Sequence, residues 1–372
     1  MPGDHEKTPG VLRSELALLA GAVTMGLFLV FGSQWLKDFS NPAWFAAIFA
    51  WLFAAMLWLA FSVVRHADAL AVKLGEPYGT LILTLAVISI EVVMISAVML
   101  TGGDNPTLAR DTMFAVLMIV LNGMVGTTLL VGGLRHREQE YNLQGANAFL
   151  SVIIPVAGLG LILPRFTEST PDASPSTFLA VFLIVVSILL YGIFLAMQTT
   201  RHRDFFTQPG DANGGHDPHG AAPRSVGFHA VLLVLSMLPI VVLSKSMAKV
   251  IDHGIETAGA PAPLGGFLVA VLVLAPEGLG AVRAALSNQL QRTMNICLGS
   301  ALATIGLTVP AVLTIGLITG KVVELGLGDV DLILLVLSLA VSVVTFSGVR
   351  TNVVQGAVHL VLFAAYVVAI FD

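Results

Sequence analysis

The chain has 372 residues, 56% of them hydrophobic and 11% charged, with a net charge of −5 and a mean hydropathy of +0.90. Soluble domains carry about 25% charged residues, so most of this surface does not face water, and no basic patch invites nucleic acid. The single cysteine, Cys297, excludes a disulfide framework.

Residues 1–14 are polar and the apolar stretch after them is long enough to stay as an anchor, so no cleavable signal peptide is expected. Eleven apolar stretches follow in chain order, at about 15–36, 42–64, 78–100, 112–133, 146–163, 177–198, 228–246, 264–286, 294–318, 330–348 and 353–371. Stretches of roughly 17–25 residues cross a bilayer as helices, and 146–163 sits at the short end of that range. None shows the alternation of a membrane strand, and lipid tolerates only helices or closed barrels. The expected fold is an all-α polytopic membrane protein with about eleven transmembrane helices.

Between the sixth and seventh stretches lies "TTRHRDFFTQPGDANGGHDPHGAAPRSVG", residues 199–227. Its Gly, Pro, Asp and His content predicts a disordered cytoplasmic linker. His202, His216 and His219 read as part of that solvated linker rather than as a metal site. The expected plan is a tail and first helix (1–41), a five-helix block (42–198), the linker (199–227) and a second five-helix block (228–372). Twelve lysines and arginines fall on the N-terminal side of such a layout and six on the other. That bias places the N-terminus in the cytoplasm and the C-terminus outside a cell inner (plasma) membrane.

Two acids, Glu91 and Glu277, lie deep inside these stretches. Each buried carboxylate costs about 2.5–3.5 kcal/mol unless something compensates it. Arg283 is six residues from Glu277, on another helix face, and no basic residue lies within two turns of Glu91 on its own helix. "SIEVVMISAVMLTGGDNPTLARDTMFAVLMIVLNGMVGTTLL" aligns with "APEGLGAVRAALSNQLQRTMNICLGSALATIGLTVPAV", Glu91 matching Glu277 and Thr112-Met113 matching Thr293-Met294. Each acid then sits on the second helix of a five-helix block. An odd helix number per block inverts one copy against the other, a signature of secondary transporters with a midplane site. Glu91 and Glu277 are therefore the expected cation- and proton-binding pair.

Pro276 cannot donate a helical hydrogen bond and is expected to break the helix beside Glu277. Freed carbonyls and carboxylates suit hard cations, and calcium takes six to eight oxygens. Ser300, Thr304 and Thr308 recur at every fourth residue and share one face, as supporting ligands or as interhelical glue. Asn122 and Asn295 are further candidate ligands, and His359 is read as packing or as lining of a pathway.

These stretches resemble the ChaA-type bacterial calcium/proton antiporters of the cation/calcium exchanger superfamily. "RHADALAVKLGEPYGTLILTLAVISIEV" (65–92) and "APEGLGAVRAALSNQLQRTMNICLGSALATIGLTVP" (275–310) resemble the two signature regions, and "GLRHREQEYN" (133–142) and "GVRTNVVQGAVHL" (348–360) match further segments. The resemblance implies one extra helix plus two inverted five-helix repeats. It also implies that Glu91 and Glu277 bind cation and proton alternately, with Ser300 in a Gly-Ser element. Three features depart from vacuolar relatives: Ile88 and Leu274 stand where an Asn precedes each acid, Gln355 replaces an acid, and the linker is not strongly acidic.

Two carboxylates are neutral with one Ca²⁺ or with two protons, so protons and metal compete for the same oxygens. The expected function is exchange of cytoplasmic Ca²⁺ for external H⁺ by alternating access, with Na⁺/H⁺ or K⁺/H⁺ exchange as the alternative. The expected partners are cations, protons and the bilayer, with no cofactor. A remote reading is an intramembrane aspartyl protease, from "GLGD" at 326–329. The chain has neither the Tyr-Asp that such chemistry pairs with nor a His-Glu-x-x-His zinc motif, and Asp329 is expected to cap the next helix.

Overall fold

The computed structural model describes residues 14–75, 78–101, 106–170, 172–209, 224–257 and 259–372. Among them run eleven helical rods. The first six are α1 (Leu16–Trp35), α2 (Pro42–Leu74), α3 (Tyr78–Thr101), α4 (Leu108–His136), α5 (Leu143–Phe166) and α6 (Thr177–Arg201). The rest are α7 (Val226–Glu256), α8 (Ala262–Leu286), α9 (Leu290–Thr319), α10 (Asp329–Thr345) and α11 (Val353–Phe371). Nine are long and apolar enough to cross a membrane, while α3 offers a shorter apolar stretch, Thr84–Ala97, and α10 has 17 residues. Leu29, Val185, Val344 and Val361 stand open on the outer surface. A helix apolar on all sides needs hydrocarbon where a soluble helix needs water. The chain is a multi-pass helical membrane protein.

Successive turns alternate between two faces, as eleven crossings require. On one face the α4–α5, α8–α9 and α10–α11 turns meet the residues after α6. Gln139 Nε2 donates to the Ala285 carbonyl at 2.9 Å, and the Asn142 amide to Gln291 Oε1 at 2.7 Å. The Gln291 amide in turn donates to Gln208 Oε1 at 3.0 Å. A short antiparallel ribbon, β1 (Gln139–Glu140) with β2 (Arg350–Thr351), ties the turns together. On the opposite face Arg110 Nη1 reaches the Gly326 carbonyl at 3.2 Å, and the Leu327 amide reaches the Leu161 carbonyl at 2.9 Å.

Several expected boundaries shift. The second span was expected to end near residue 64, but α2 runs on to Leu74, where Gly75 takes a positive φ of 63° and ends it. The added turns are held by polar contacts at the start of α1 and α7. Arg65 Nη2 sits 2.6 Å from Glu15 Oε2, His66 Nε2 3.1 Å from the same oxygen, and His66 Nδ1 3.0 Å from His229 Nδ1. Burial pushes the Glu15 carboxyl up, but the Ser14 hydroxyl, Arg65 and His66 together hold it below the ordinary range.

The 199–227 segment is not disordered at its start. The α6 rod reaches Arg201, a 3₁₀ turn follows at Arg203–Phe206, and Phe206 is buried edge-on against Phe149 and Phe194. An aromatic pair and the side-chain amides of Asn142, Gln291 and Asn295, which bind this backbone, give the segment enough to order it, which composition alone does not show. The His202 ring lies tilted against Phe205, centroids 4.8 Å apart, and His216 and His219 lie outside the described residues.

Asp329 does not cap α10. Gly328 occupies the cap, while Asp329 sits in the first turn, 85% exposed and 3.3 Å from Arg165. An exposed acid at a helix start is stabilised by the positive end of the dipole, and this one is no catalytic aspartate.

Candidate functional site

The α3 and α8 rods carry Glu91 and Glu277, and the α9 rod lies between them. Its spacing of four residues puts Ser300, Thr304 and Thr308 on one face, as expected, and that face serves both acids. Thr304 Oγ1 donates to Glu91 Oε2 at 2.9 Å, and Ser300 Oγ to Glu277 Oε2 at 2.6 Å. Thr308 faces Glu91 one turn further along, yet its hydroxyl and Glu91 Oε1 are both buried without a hydrogen-bond partner. Two such orphans together are rare in a packed interior. The two carboxylates lie within each other's electrostatic field.

Access differs between the two acids. Glu91 is 1% exposed, sealed with Thr304 and Thr308, whereas Glu277 is half-buried. Among the described residues, no group of three or more His, Cys, Asp or Glu side chains is arranged to hold a resident metal. The arrangement is two carboxylates set along one α9 face that carries three hydroxyls, all hard oxygen donors. Such a set binds small hard cations, and protons compete for the same oxygens.

Pro276 does not break its helix. The α8 rod is continuous from Ala262 to Leu286 with Pro276 inside it; only the donor to the Leu272 carbonyl is lost, and packing on both sides carries the helix through. The irregular backbone lies instead on the following rods. π-helical turns occupy Ile119–Met124 of α4 and Thr304–Thr308 of α9, so Thr304 and Thr308 sit on one of them. Such turns re-aim side chains without ending a helix.

The amide of neither asparagine donates to the acids; both are bound to other partners. Asn295 Nδ2 donates to the Phe206 carbonyl at 2.7 Å and its Oδ1 accepts from Gln291 Nε2 at 2.9 Å, so it anchors the start of the 199–227 segment. Asn122, fully buried on the α4 π turn, donates to Ser338 Oγ at 2.7 Å and accepts from His359 Nδ1 at 3.2 Å. His359 Nε2 then faces Thr345 Oγ1 at 3.0 Å. The Asn122 oxygen accepts only from a ring that carries a proton on Nδ1, and these contacts join α4, α10 and α11.

Sequence reasoning missed Asp68. With the second span ended at residue 64, Asp68 fell outside the membrane, although it stands inside the quoted "RHADALAVKLG". The longer α2 brings it near enough to Glu277 for its charge to be felt there.

The sequence model for "Sodium/calcium exchanger protein" matches residues 44–200 and 228–371. The Sodium-potassium/proton antiporter ChaA of Escherichia coli (strain K12) is 44% identical over 315 residues, covering 84% of this chain and 85% of that protein. The putative ionic transporter y4hA of Sinorhizobium fredii (strain NBRC 101917 / NGR234) is 43% identical over 310 residues, covering 82% and 83%. Among solved structures, native YfkE superposes with a TM-score of 0.73 at 17% identity, covering 95% of this chain and 99% of that one. That similarity establishes the fold.

Proposed function

The chain belongs to the sodium/calcium exchanger protein family, and from that premise we propose that it exchanges cytoplasmic sodium or potassium for external protons. Transport is its activity, and it is a cation/proton antiporter, not an enzyme. One observation carries the choice of monovalent ions: among the described residues, the side chains hydrogen-bonded to the two carboxylates are the hydroxyls of Ser300 and Thr304. Calcium takes six to eight oxygens, and the two asparagines expected to contribute some of them are hydrogen-bonded to other partners. The similarity to a sodium-potassium/proton antiporter at 44% identity supports the same reading. Calcium/proton exchange, the first expectation from the sequence, is the second reading, because two carboxylates are neutral with one divalent ion.

In this reading Glu91 and Glu277 are the exchange site, supported by Ser300, Thr304 and Thr308. The pair is neutral with one monovalent cation and one proton, and neutral with two protons. The bare dianion is the state that resists movement between faces. Alternating access follows if α2–α6 and α7–α11 are inverted repeats with the site at their interface.

Proton release from the lumen of everted membrane vesicles, with sodium, potassium and calcium each added in turn to the medium, tests the selectivity. Sodium or potassium is expected to drive it. Release driven by calcium alone would overturn the monovalent reading. We place the N-terminal face in the cytoplasm and the protein in the plasma membrane, since that face carries twelve of the eighteen lysines and arginines. A reporter fused after Asp372 should then read the external side, and a cytoplasmic signal from both ends would remove the eleven-crossing orientation.

A further inference from the structure

On the N-terminal face, three helices meet through ring nitrogens that the exchange site does not use. His66, near the end of α2, is buried, and its Nδ1 lies 3.0 Å from Nδ1 of His229 in the first turn of α7. Its Nε2 lies 3.1 Å from Oε2 of Glu15, just ahead of α1, and Arg65 Nη2 holds the same oxygen at 2.6 Å. Arg65 Nη2 is also 3.2 Å from His66 Nε2, but a bare Nε2 would set two acceptors against each other at the Glu15 contact. His66 Nε2 therefore carries a proton and donates to Glu15. The contact between the two Nδ1 atoms holds one proton. With both rings neutral it belongs to His229 Nδ1, His66 Nδ1 accepts it, and His229 Nε2 is left bare. That Nε2 is buried and has no hydrogen-bond partner among the described residues.

A further proton has nowhere to be satisfied. On His229 Nε2 it makes a buried, charged N–H with no acceptor, which costs more than a bare lone pair there. On His66 Nδ1 it faces the His229 N–H. The contact then survives only if His229 moves its own proton to Nε2, again without an acceptor. The surrounding charges oppose the proton as well: Arg65 and Lys73 of α2 and Arg224 ahead of α7 act on the pair against Glu15 alone. We propose that His66 and His229 form a proton-sensitive latch between α2 and α7, closed while both rings are neutral and opened by proton uptake from the N-terminal face. The α2 rod leads into the helix of Glu91 and α7 into that of Glu277. Further in, the same two rods are joined by the buried Ser62 and Ser236 hydroxyls at 3.2 Å. Once the latch parts, water solvates the His229 ring, which then takes a proton with the ordinary histidine pKa of about 6.5. The open form binds more protons than the closed one, so the latch weakens as pH falls through that range.

The inference does not depend on the Glu91–Glu277 reading. Amide hydrogen exchange of the full-length protein in nanodiscs, corrected for the chemical rate at each pH, tests it over residues 225–235. Opening there should rise about tenfold from pH 8 to pH 5.5, as one histidine of ordinary pKa takes up a proton. Residues 180–195 of α6 carry no charged side chain and should not respond. His66→Gln combined with His229→Gln should remove the pH response. His229→Lys, which fixes a cation on α7, should exchange fast at both pH values. The two variants are independent tests, so a folding defect in one leaves the other decisive. Equal protection of the wild type at pH 8 and pH 5.5 overturns the latch, as does a response that survives the double substitution. A response of the same size in residues 180–195 would mean general loosening and overturns it too.

Discussion

Glu277→Gln is expected to reduce proton release driven by sodium, potassium or calcium to background. The substitution keeps the volume of the side chain and an acceptor for the Ser300 hydroxyl, 2.6 Å away in the wild type, but removes the charge that solvent ions reach. Glu91→Gln should abolish any calcium-driven release, because a single carboxylate cannot neutralise a divalent ion. It should lower monovalent exchange by at least about tenfold, the equivalent of ~1.4 kcal/mol, since the Thr304-held oxygen loses its charge. Neither variant should misfold, because a neutral amide is easier to bury than a carboxylate. Vesicle flux and melting temperature in detergent, measured together, decide the matter. Full exchange in Glu277→Gln would remove the proposed site. Full exchange in Glu91→Gln alone would make Glu91 a structural acid.

The second large effect is structural. A Cβ built on Gly356 of α11 would lie 2.5 Å from the Leu130 amide nitrogen and 2.9 Å from the Gly126 carbonyl oxygen of α4. From the other side, a Cβ on Gly126 would meet the Leu360 amide nitrogen at 2.9 Å. The two helices cross backbone on backbone, as small residues allow in membranes. Gly356→Leu cannot be absorbed by a rotamer change, since its neighbours are main chain. It should part α4 from α11 and break the Asn122–His359 contact that joins them. No monodisperse protein should be recovered in detergent. Gly123→Ala is the contrast: its Cβ would meet only the Phe363 ring, at 3.3 Å, which can shift, so near-normal yield is expected. Wild-type yield and melting temperature from Gly356→Leu would show that the crossing is slack.

Some of this molecule is local and so could be read from residue order. Eleven apolar runs follow from hydrocarbon demanding stretches of fixed length, and among the described residues eleven helical rods follow in that order, nine of them long and apolar enough to cross a membrane. The importance of Glu91 and Glu277 follows equally locally, because an acid in an apolar run needs a reason. The face shared by Ser300, Thr304 and Thr308 is set by helical periodicity alone.

What depended on partners far along the chain could not be read that way. The extension of α2 to Leu74 is secured by Glu15 and His229, 51 and 163 residues from His66. Asn122 and Asn295 looked like ligands because an amide near an acid is indistinguishable in sequence from an amide that binds a helix 216 residues away. Pro276 removes one hydrogen bond wherever it stands, but whether the helix breaks there depends on the packing around it. Residue order sets which groups must be satisfied inside the membrane, and only the assembled helices decide which group satisfies which.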